Sequence, residues 1–347
     1  MRTSLTSRVL AVALLLACTV SCRKPEVGDV PGNKNTFVKG ADISWVTEME
    51  SNGYKFYNAA GQERELTALM KEIGCNAIRL RVWMQPKGGW NGKADVIAKA
   101  RRAQALGMKV LIDLHYSDSW ADPGQQTVPL LWQGNAADEM AAAVKAHTQE
   151  VLQALKVAGV DVAWVQVGNE VTNGMLWDSG KVSGSNVGQF VKYFHAGREA
   201  VKAVFPDAQV ILHLDNGWKL ETLNWFLSLM KGRSLDYDML GLSLYPSYWE
   251  SGAYPDWQPK VQQFVSNLPL LYGNYGKPVM LVEFGMPADE PEKTAAALQY
   301  LMDNTAAYEF FQGIFYWEPE AEHDRNGYDY GAFSGGKPTA ALGPFGE

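Results

Sequence analysis

The sequence predicts an α/β fold, one (β/α)8 TIM barrel in a single domain with a truncated last helix. Three observations point there. Eight short apolar runs alternate with helical patterns over ~310 residues, the count such a barrel needs. The runs are apolar along their length, as parallel strands covered on both faces are. No glycine-rich phosphate loop follows the first run, which disfavours an open doubly wound sheet.

The elements follow in order. Residues 38–44 form the first strand. Leu66, Leu69, Met70 and Ile73 keep the i, i+3, i+4, i+7 spacing of a helix, and 77–83 is the second strand. A helix closed by Gly107 leads to the third strand, 109–115. The Ala-rich stretch 136–158 is a long helix, with Gly159 just past its end, where a left-handed residue is favoured. Strand four is 162–168. Phe190, Val191, Phe194 and residues 200–204 mark the next helix. Strands at 210–214, 239–245 and 279–283 follow. A helix at 295–302 precedes strand eight, 313–317, and only 339–342 is left for an eighth helix. The long loops 45–62, 116–135, 171–185, 246–257 and 318–337 all fall on the C-terminal face, where a barrel carries its site.

The N-terminus lies outside this pattern. Arg2 and Arg8 flank a short n-region and 9–17 is apolar, too short to span a bilayer, so 1–21 is expected to be an export signal. Leu-Leu-Ala-Cys18 and Val-Ser-Cys22 each resemble a bacterial lipobox. Cys22 is preferred, because it leaves a longer apolar region and a polar tether, 22–35, ahead of a catalytic barrel at 36–347. The expectation is an exported protein, lipid-anchored in a bacterial outer membrane, with secretion or a periplasmic location as alternatives. A plain secretory signal with incidental cysteines competes with it. Cys75 stands alone in the body, with no metal spacing around it, and is expected to be a small buried hydrophobe. The net charge of −7 without a basic stripe argues against nucleic acid as partner. With 47% hydrophobic and 20% charged residues the chain is ordinary globular material, expected to work as a monomer that meets the membrane only through a lipid.

Two strands end on acids. The run 162–168 leads into Asn169-Glu170, and the run from Val279 ends on Glu283. A carboxylate at the exit of an apolar strand is costly unless it has a partner or a task. Two such glutamates are the minimum kit for glycoside hydrolysis, one as nucleophile and one as proton donor. Strand alternation groups the side chains that share a face: Arg79, Arg81 and Trp83; Asp113 and His115; Gln166, Gly168 and Glu170; Ser243 and Tyr245. For Arg79 and Asp113 a structural salt-bridge plug and a site role stand level. Arg81 and His115 lie nearer the strand exits and are assigned to the site. Arg81 and Tyr245 are expected to stabilise Glu283.

Beyond the glutamates, several segments resemble one family. They are Gly40-Ala41-Asp42-Ile43-Ser44, Ile78-Arg79-Leu80-Arg81-Val82-Trp83, His115-Tyr116-Ser117-Asp118-Ser119-Trp120-Ala121-Asp122-Pro123-Gly124, Gln166-Val167-Gly168-Asn169-Glu170, Tyr245-Pro246-Ser247-Tyr248-Trp249 and Val282-Glu283-Phe284-Gly285. Together they resemble glycoside hydrolase family 53, the arabinogalactan endo-β-1,4-galactanases of clan A, over residues 36 to about 346. The resemblance implies a retaining endo-hydrolase of β-1,4-galactan side chains of pectin. It implies Glu170 as acid/base, Glu283 as nucleophile, Asn169 on the sugar 2-hydroxyl and Tyr245 orienting Glu283. Trp317 would floor the subsite of the cleaved sugar, and His115, Asp118 and Trp120 would line the groove. Another clan A endo-glycanase, a mannanase or cellulase, is the near alternative. A non-catalytic glycan-binding surface lipoprotein is the distant one. The chemistry needs no cofactor. Residues 318–329 are oxygen-rich, and some bacterial members hold structural calcium in the loop after strand eight. The spacing is no EF-hand, ligands are not assignable, and a solvated acidic loop is the alternative.

Overall fold

The computed structural model describes residues 37–346. Eight parallel strands close on themselves: β1 (Val38–Asp42), β2 (Ala77–Val82), β3 (Lys109–Leu114), β4 (Trp164–Val167), β5 (Gln209–Leu214), β6 (Met239–Leu244), β7 (Val279–Phe284) and β8 (Phe311–Trp317). β1 pairs with both β2 and β8, so the sheet has no free edge. The crossovers are α1 (Leu66–Ile73), α2 (Lys93–Ala105), α3 (Ala137–Val157), α4 (Val187–Val204), α5 (Leu220–Lys231), α6 (Gln258–Tyr275) and α7 (Pro291–Thr305). After β8 a 3₁₀ turn, Ala340–Gly346, stands where the eighth helix would be. The expected barrel and its truncated end are both present. α5 and α6 escape the sequence pattern, and α6 carries Pro269 in its interior. The signal and tether assignments, with Cys18 and Cys22, lie outside the described residues. Among those described, no helix is long and apolar enough to cross a membrane. Cys75 is buried, and burial pushes its thiol up to about 12, so it stays an inert hydrophobe.

Strand alternation builds two cores. Leu80, Ile112, Val165, Leu212, Leu242 and Leu281 face outward and pack under the helices. Val38, Ala77, Leu111, Trp164, Ile211, Met239, Met280, Val282 and Phe315 face inward and plug the barrel. The plug sets large side chains against small ones. A Cβ at Gly40 would lie 2.3 Å from the Phe315 ring, so only glycine leaves room for it. One step further toward the C-terminal face, the same inward positions turn polar: Asp42, Arg79, Asp113, Gln166, His213, Ser243 and Glu283 are all buried. The β6–β7 register slips between Leu242 and Ser243, so that Ser243 opposes Glu283. Such irregularities re-aim side chains beside functional sites. Here the slip lets Glu283 reach the polar layer while its neighbour Val282 stays in the plug.

Candidate active site

A cavity of about 400 Å³ opens at the C-terminal face, and Glu170 and Glu283 both line it. Trp45, His115, Trp120, Asn169, Tyr245, Tyr248, Trp317, Tyr328 and Tyr330 share its wall.

Glu283 has two donors. Arg79 Nη2 lies 2.8 Å from its Oε1, and the Tyr245 hydroxyl donates to Oε2 at 3.0 Å. Burial raises the Tyr245 hydroxyl well above its usual range, with the Glu283 charge next in effect, so the phenol keeps its proton and stays a donor. Arg79 also reaches Asp42 at 2.7 Å and Asp113 at 2.9 Å, and its Nε donates to Gln166 Oε1 at 2.8 Å. A guanidinium amid three carboxylates stays charged: burial opposes it, and Asp113, Glu283 and Asp42 outweigh burial. Burial also opposes ionisation of Asp113, but Arg79 and His115 hold that carboxyl below its usual range.

Both glutamates of the pair are raised. Burial lifts Glu283 to about 7, with Arg79 pulling the other way. Burial lifts Glu170 well above its usual range, followed by the charges of Glu283 and Asp215. The cation sits on Glu283, so the shared negative charge rests there and the proton on Glu170. Two coupled carboxyls split this way have the charge states that a proton donor and a nucleophile require.

The backbone at β4 places both Asn169 and Glu170. Gly168 has φ +87° and Glu170 φ +45°, so the chain turns sharply out of the strand. A Cβ at Gly168 would meet Val171 at 2.6 Å, which reserves the position for glycine. His213 on β5 braces this turn. Its Nδ1 accepts from the Glu170 N–H at 3.2 Å, and its Nε2 sits 2.8 Å from Ser243 Oγ. Gln166 Nε2 donates to the same Nδ1 at 2.8 Å, which leaves Nε2 as the protonated nitrogen. Burial, then the charge of Arg79, pushes His213 well below its usual range, so the ring is neutral. Asn169 Oδ1 accepts from Arg79 at 3.0 Å and Nδ2 donates to the Ala121 carbonyl at 2.8 Å, which fixes the amide beside the cavity.

His115 Nε2–H donates to Asp113 at 2.9 Å, while its Nδ1 accepts from Trp83 Nε1 and from the Ala121 N–H, both at 3.2 Å. Trp317 and Trp120 line the cavity, with ring centroids 5.8 Å apart, and Trp45 lies 5.5 Å from Trp317. Together with Tyr328, 4.7 Å from Trp317, they make an aromatic wall. Flat rings of this kind suit the C–H face of a sugar.

Two expected residues fall elsewhere. Arg81 does not touch Glu283. It is buried below the cavity, paired with Glu318, and its guanidinium carbon lies 4.5 Å from the Trp120 ring centroid and 5.1 Å from those of Trp45 and Trp83. Arg79, one inward step deeper on β2, has the role expected of Arg81. Asp118 does not line the cavity. Its Oδ1 accepts from Gln85 N–H at 3.0 Å and its Oδ2 from Leu130 N–H at 2.9 Å, so it braces the loop after β3. His213 and the rings of Trp45, Tyr248, Tyr328 and Tyr330 carry no expectation from sequence. For His213 the signal was present: Ile211, His213 and Asp215 alternate on one face of β5.

In the loop after β8 several side chains already have partners within the protein. Glu318 is held by Arg81, Glu322 accepts the Gly335 and Gly336 N–H groups, and His323 pairs with Asp329. Among the described residues no three His, Cys, Asp or Glu converge to hold a metal.

Comparison with known proteins agrees with this geometry. The model of glycosyl hydrolase family 53 matches residues 38–340. The chain is 33% identical over 314 residues to arabinogalactan endo-β-1,4-galactanase of Humicola insolens, covering 83% of this chain and 91% of that one. It is 33% identical over 305 residues to the probable arabinogalactan endo-β-1,4-galactanase A of Neosartorya fischeri, covering 81% and 83%. Among solved structures, a fungal β-1,4-galactanase superposes with TM-score 0.81 at 30% identity, over 90% of this chain and 99% of that one. The family 53 catalytic domain of Ignisphaera aggregans superposes with TM-score 0.80 at 27% identity, over 91% and 97%. The chain belongs to glycosyl hydrolase family 53.

Proposed function

We propose that the protein is a retaining endo-β-1,4-galactanase acting on galactan and arabinogalactan side chains of pectin. The observation that carries this is the carboxyl pair at two strand exits, Glu283 held by Arg79 and Tyr245 and Glu170 lining the same cavity, in a family 53 barrel. The Glu283 carboxylate attacks the anomeric carbon while Glu170 gives its proton to the departing glycosidic oxygen. The product is a glycosyl ester on Glu283. Glu170, now a carboxylate, takes a proton from water, whose oxygen attacks the same carbon and frees Glu283. Two inversions retain the configuration. Asn169 receives the sugar 2-hydroxyl, and Trp317 floors the subsite of the cleaved sugar.

Azide separates the two roles. In Glu170→Ala, azide replaces the missing base in the second step and yields the β-glycosyl azide. In Glu283→Ala, azide replaces the nucleophile and yields the α-azide. Each variant is expected to lose at least about 10²-fold in galactan turnover without azide. Rescue of Glu170→Ala by formation of the α-azide would overturn the assignment. Reducing-sugar release from galactan, mannan and glucan tests the substrate, and cleavage of mannan or glucan alone would replace it. Binding of galactan without turnover would favour the glycan-binding lipoprotein.

The signal-like N-terminus supports export with a lipid on Cys22. Full-length protein expressed in a bacterium is expected in the membrane fraction, and Cys22→Ser in the soluble fraction. Equal solubility of the two would remove the anchor.

A further inference from the structure

A second cavity, about 600 Å³, lies beside the catalytic one between the loops after β3 and β4. Gln125, Gln126, Asn135, Trp177 and Asp178 are in its wall. The turn at 122–125 divides the two cavities: Asp122 lines the catalytic side, Gly124 and Gln125 the other. We propose that this groove binds the galactan chain on the leaving-group side of the cleaved bond, with the Trp177 indole as stacking platform. The proposal rests on the galactanase reading and extends it to the site that holds the departing chain.

Three observations support it. The loop that carries Trp177 starts at Glu170, and the proton donor stands on the leaving-group side of the bond it cleaves. A chain leaving past Glu170 toward this loop therefore meets the groove. Trp177 is also fixed before any ligand arrives. Its Nε1 donates to the Asn173 carbonyl at 2.9 Å, its backbone N–H to the Gln126 carbonyl at 2.8 Å, and Lys181 Nζ sits 4.4 Å from the ring centroid. A held indole loses little entropy on binding. An indole in the groove wall suits the C–H patch that the axial 4-hydroxyl leaves on one side of galactose. Finally, Gln126 is 2% exposed and ties the groove to the site. Its Nε2 donates to the Asn169 carbonyl at 2.8 Å and to the Asp122 carbonyl at 3.2 Å, while its Oε1 has no hydrogen-bond partner. That lone acceptor is one a sugar hydroxyl would satisfy. Amides with one carboxylate and an indole suit a neutral polyhydroxylated chain.

The test compares two substrates, long galactan and an aryl β-1,4-galactobioside whose leaving group ends before the groove. For Trp177→Ala the ratio of kcat/KM on polymer to kcat/KM on aryl substrate is expected to fall roughly tenfold, through KM. Trp177→Phe, which keeps a ring, restores most of it, and this variant decides the matter if the alanine protein is unstable. In the Glu283→Gln background, Trp177→Ala is expected to reduce retardation in a galactan-containing gel. A ratio unchanged within twofold, or an equal loss of kcat on both substrates, overturns the groove. If the wild type cleaves mannan or glucan in place of galactan, the substrate reading fails, and the same ratio measured on that glycan still decides the groove.

Discussion

At the scale of single residues, the site depends on Arg79. It is the cation that separates two otherwise similar carboxyls, and it does so from full burial, where a charge interaction is poorly screened. Lysine cannot reproduce a planar fork that serves Asp42, Asp113, Glu283 and Gln166 together. Arg79→Lys is expected to leave the Glu283 anion less stabilised. The acid limb of kcat/KM then moves to higher pH, because Glu283 must be ionised to attack, and kcat falls by about 10²-fold. A pH–rate profile checks this, and an unmoved acid limb would reduce Arg79 to a structural ion. The sequence shows that both Arg79 and Arg81 face inward, but not which meets Glu283. Alternation gives the face, while depth along the axis depends on barrel stagger, which a strand's own sequence does not carry. Glu170 and Glu283 are legible because each breaks an apolar run at the strand exit. His213 lies inside its strand, one inward step before the exit, so alternation marks its face but no break at a strand end singles it out.

At the scale of elements, several strand exits take an uncommon backbone conformation. Tyr116, Glu170, Asn216 and Glu318 follow β3, β4, β5 and β8 with positive φ, where non-glycine residues are uncommon. These turns set the starts of the loops that wall the site, and loop paths are what sequence periodicity leaves undetermined. So the aromatic wall at Tyr248, Tyr328 and Tyr330 is visible in composition but not in place. The turn after β8 also buries Glu318 and Glu320. Arg81 serves Glu318, Trp45 N–H donates to it at 3.2 Å, and Lys99 and Asp42 lie close enough to act on the cluster. Glu320 has neither oxygen hydrogen-bonded. Burial lifts Glu318 to about 7, and burial, then the charge of Glu318, lifts Glu320 well above its usual range. Folded values above the unfolded ones mean that the stability contribution is full below the unfolded value of 4.5 and is lost as pH rises through about 7. Glu320→Gln keeps the shape without the charge. Its Tm is expected to match wild type at pH 5 and exceed it by about 2–4 °C at pH 8. Thermal melts across that range check it, and parallel curves for the two proteins would show that the pair does not ionise against the fold.

At the scale of the whole molecule, the barrel was legible because its rules are repetitive. Parallel strands buried on both faces must be apolar, and each must be followed by an amphipathic crossover. The repeat fails only at its end, where Ala340–Gly346 replaces a helix. This turn closes the N-terminal side, opposite the site. Phe345 and Leu342 are buried against the core, Lys39 Nζ donates to the Phe345 carbonyl at 3.0 Å, and the turn packs on α1 and α7. At Gly74, which ends α1 with φ +116°, a Cβ would lie 2.2 Å from the Phe345 carbonyl oxygen, so helix and turn meet with no room between them. Removing the ring leaves a cavity that such tight surroundings cannot collapse to fill. Phe345→Ala is expected to cost about 3–5 kcal/mol, which corresponds to a Tm loss of about 10 °C. The site lies at the other end of a rigid barrel, so kcat/KM on galactan at 25 °C is expected to stay within about twofold of wild type. Calorimetry paired with initial rates checks both halves. Lost activity at a temperature where the variant is fully folded would show that the two faces are coupled through the plug at Phe315 and Trp164, and not merely joined by it.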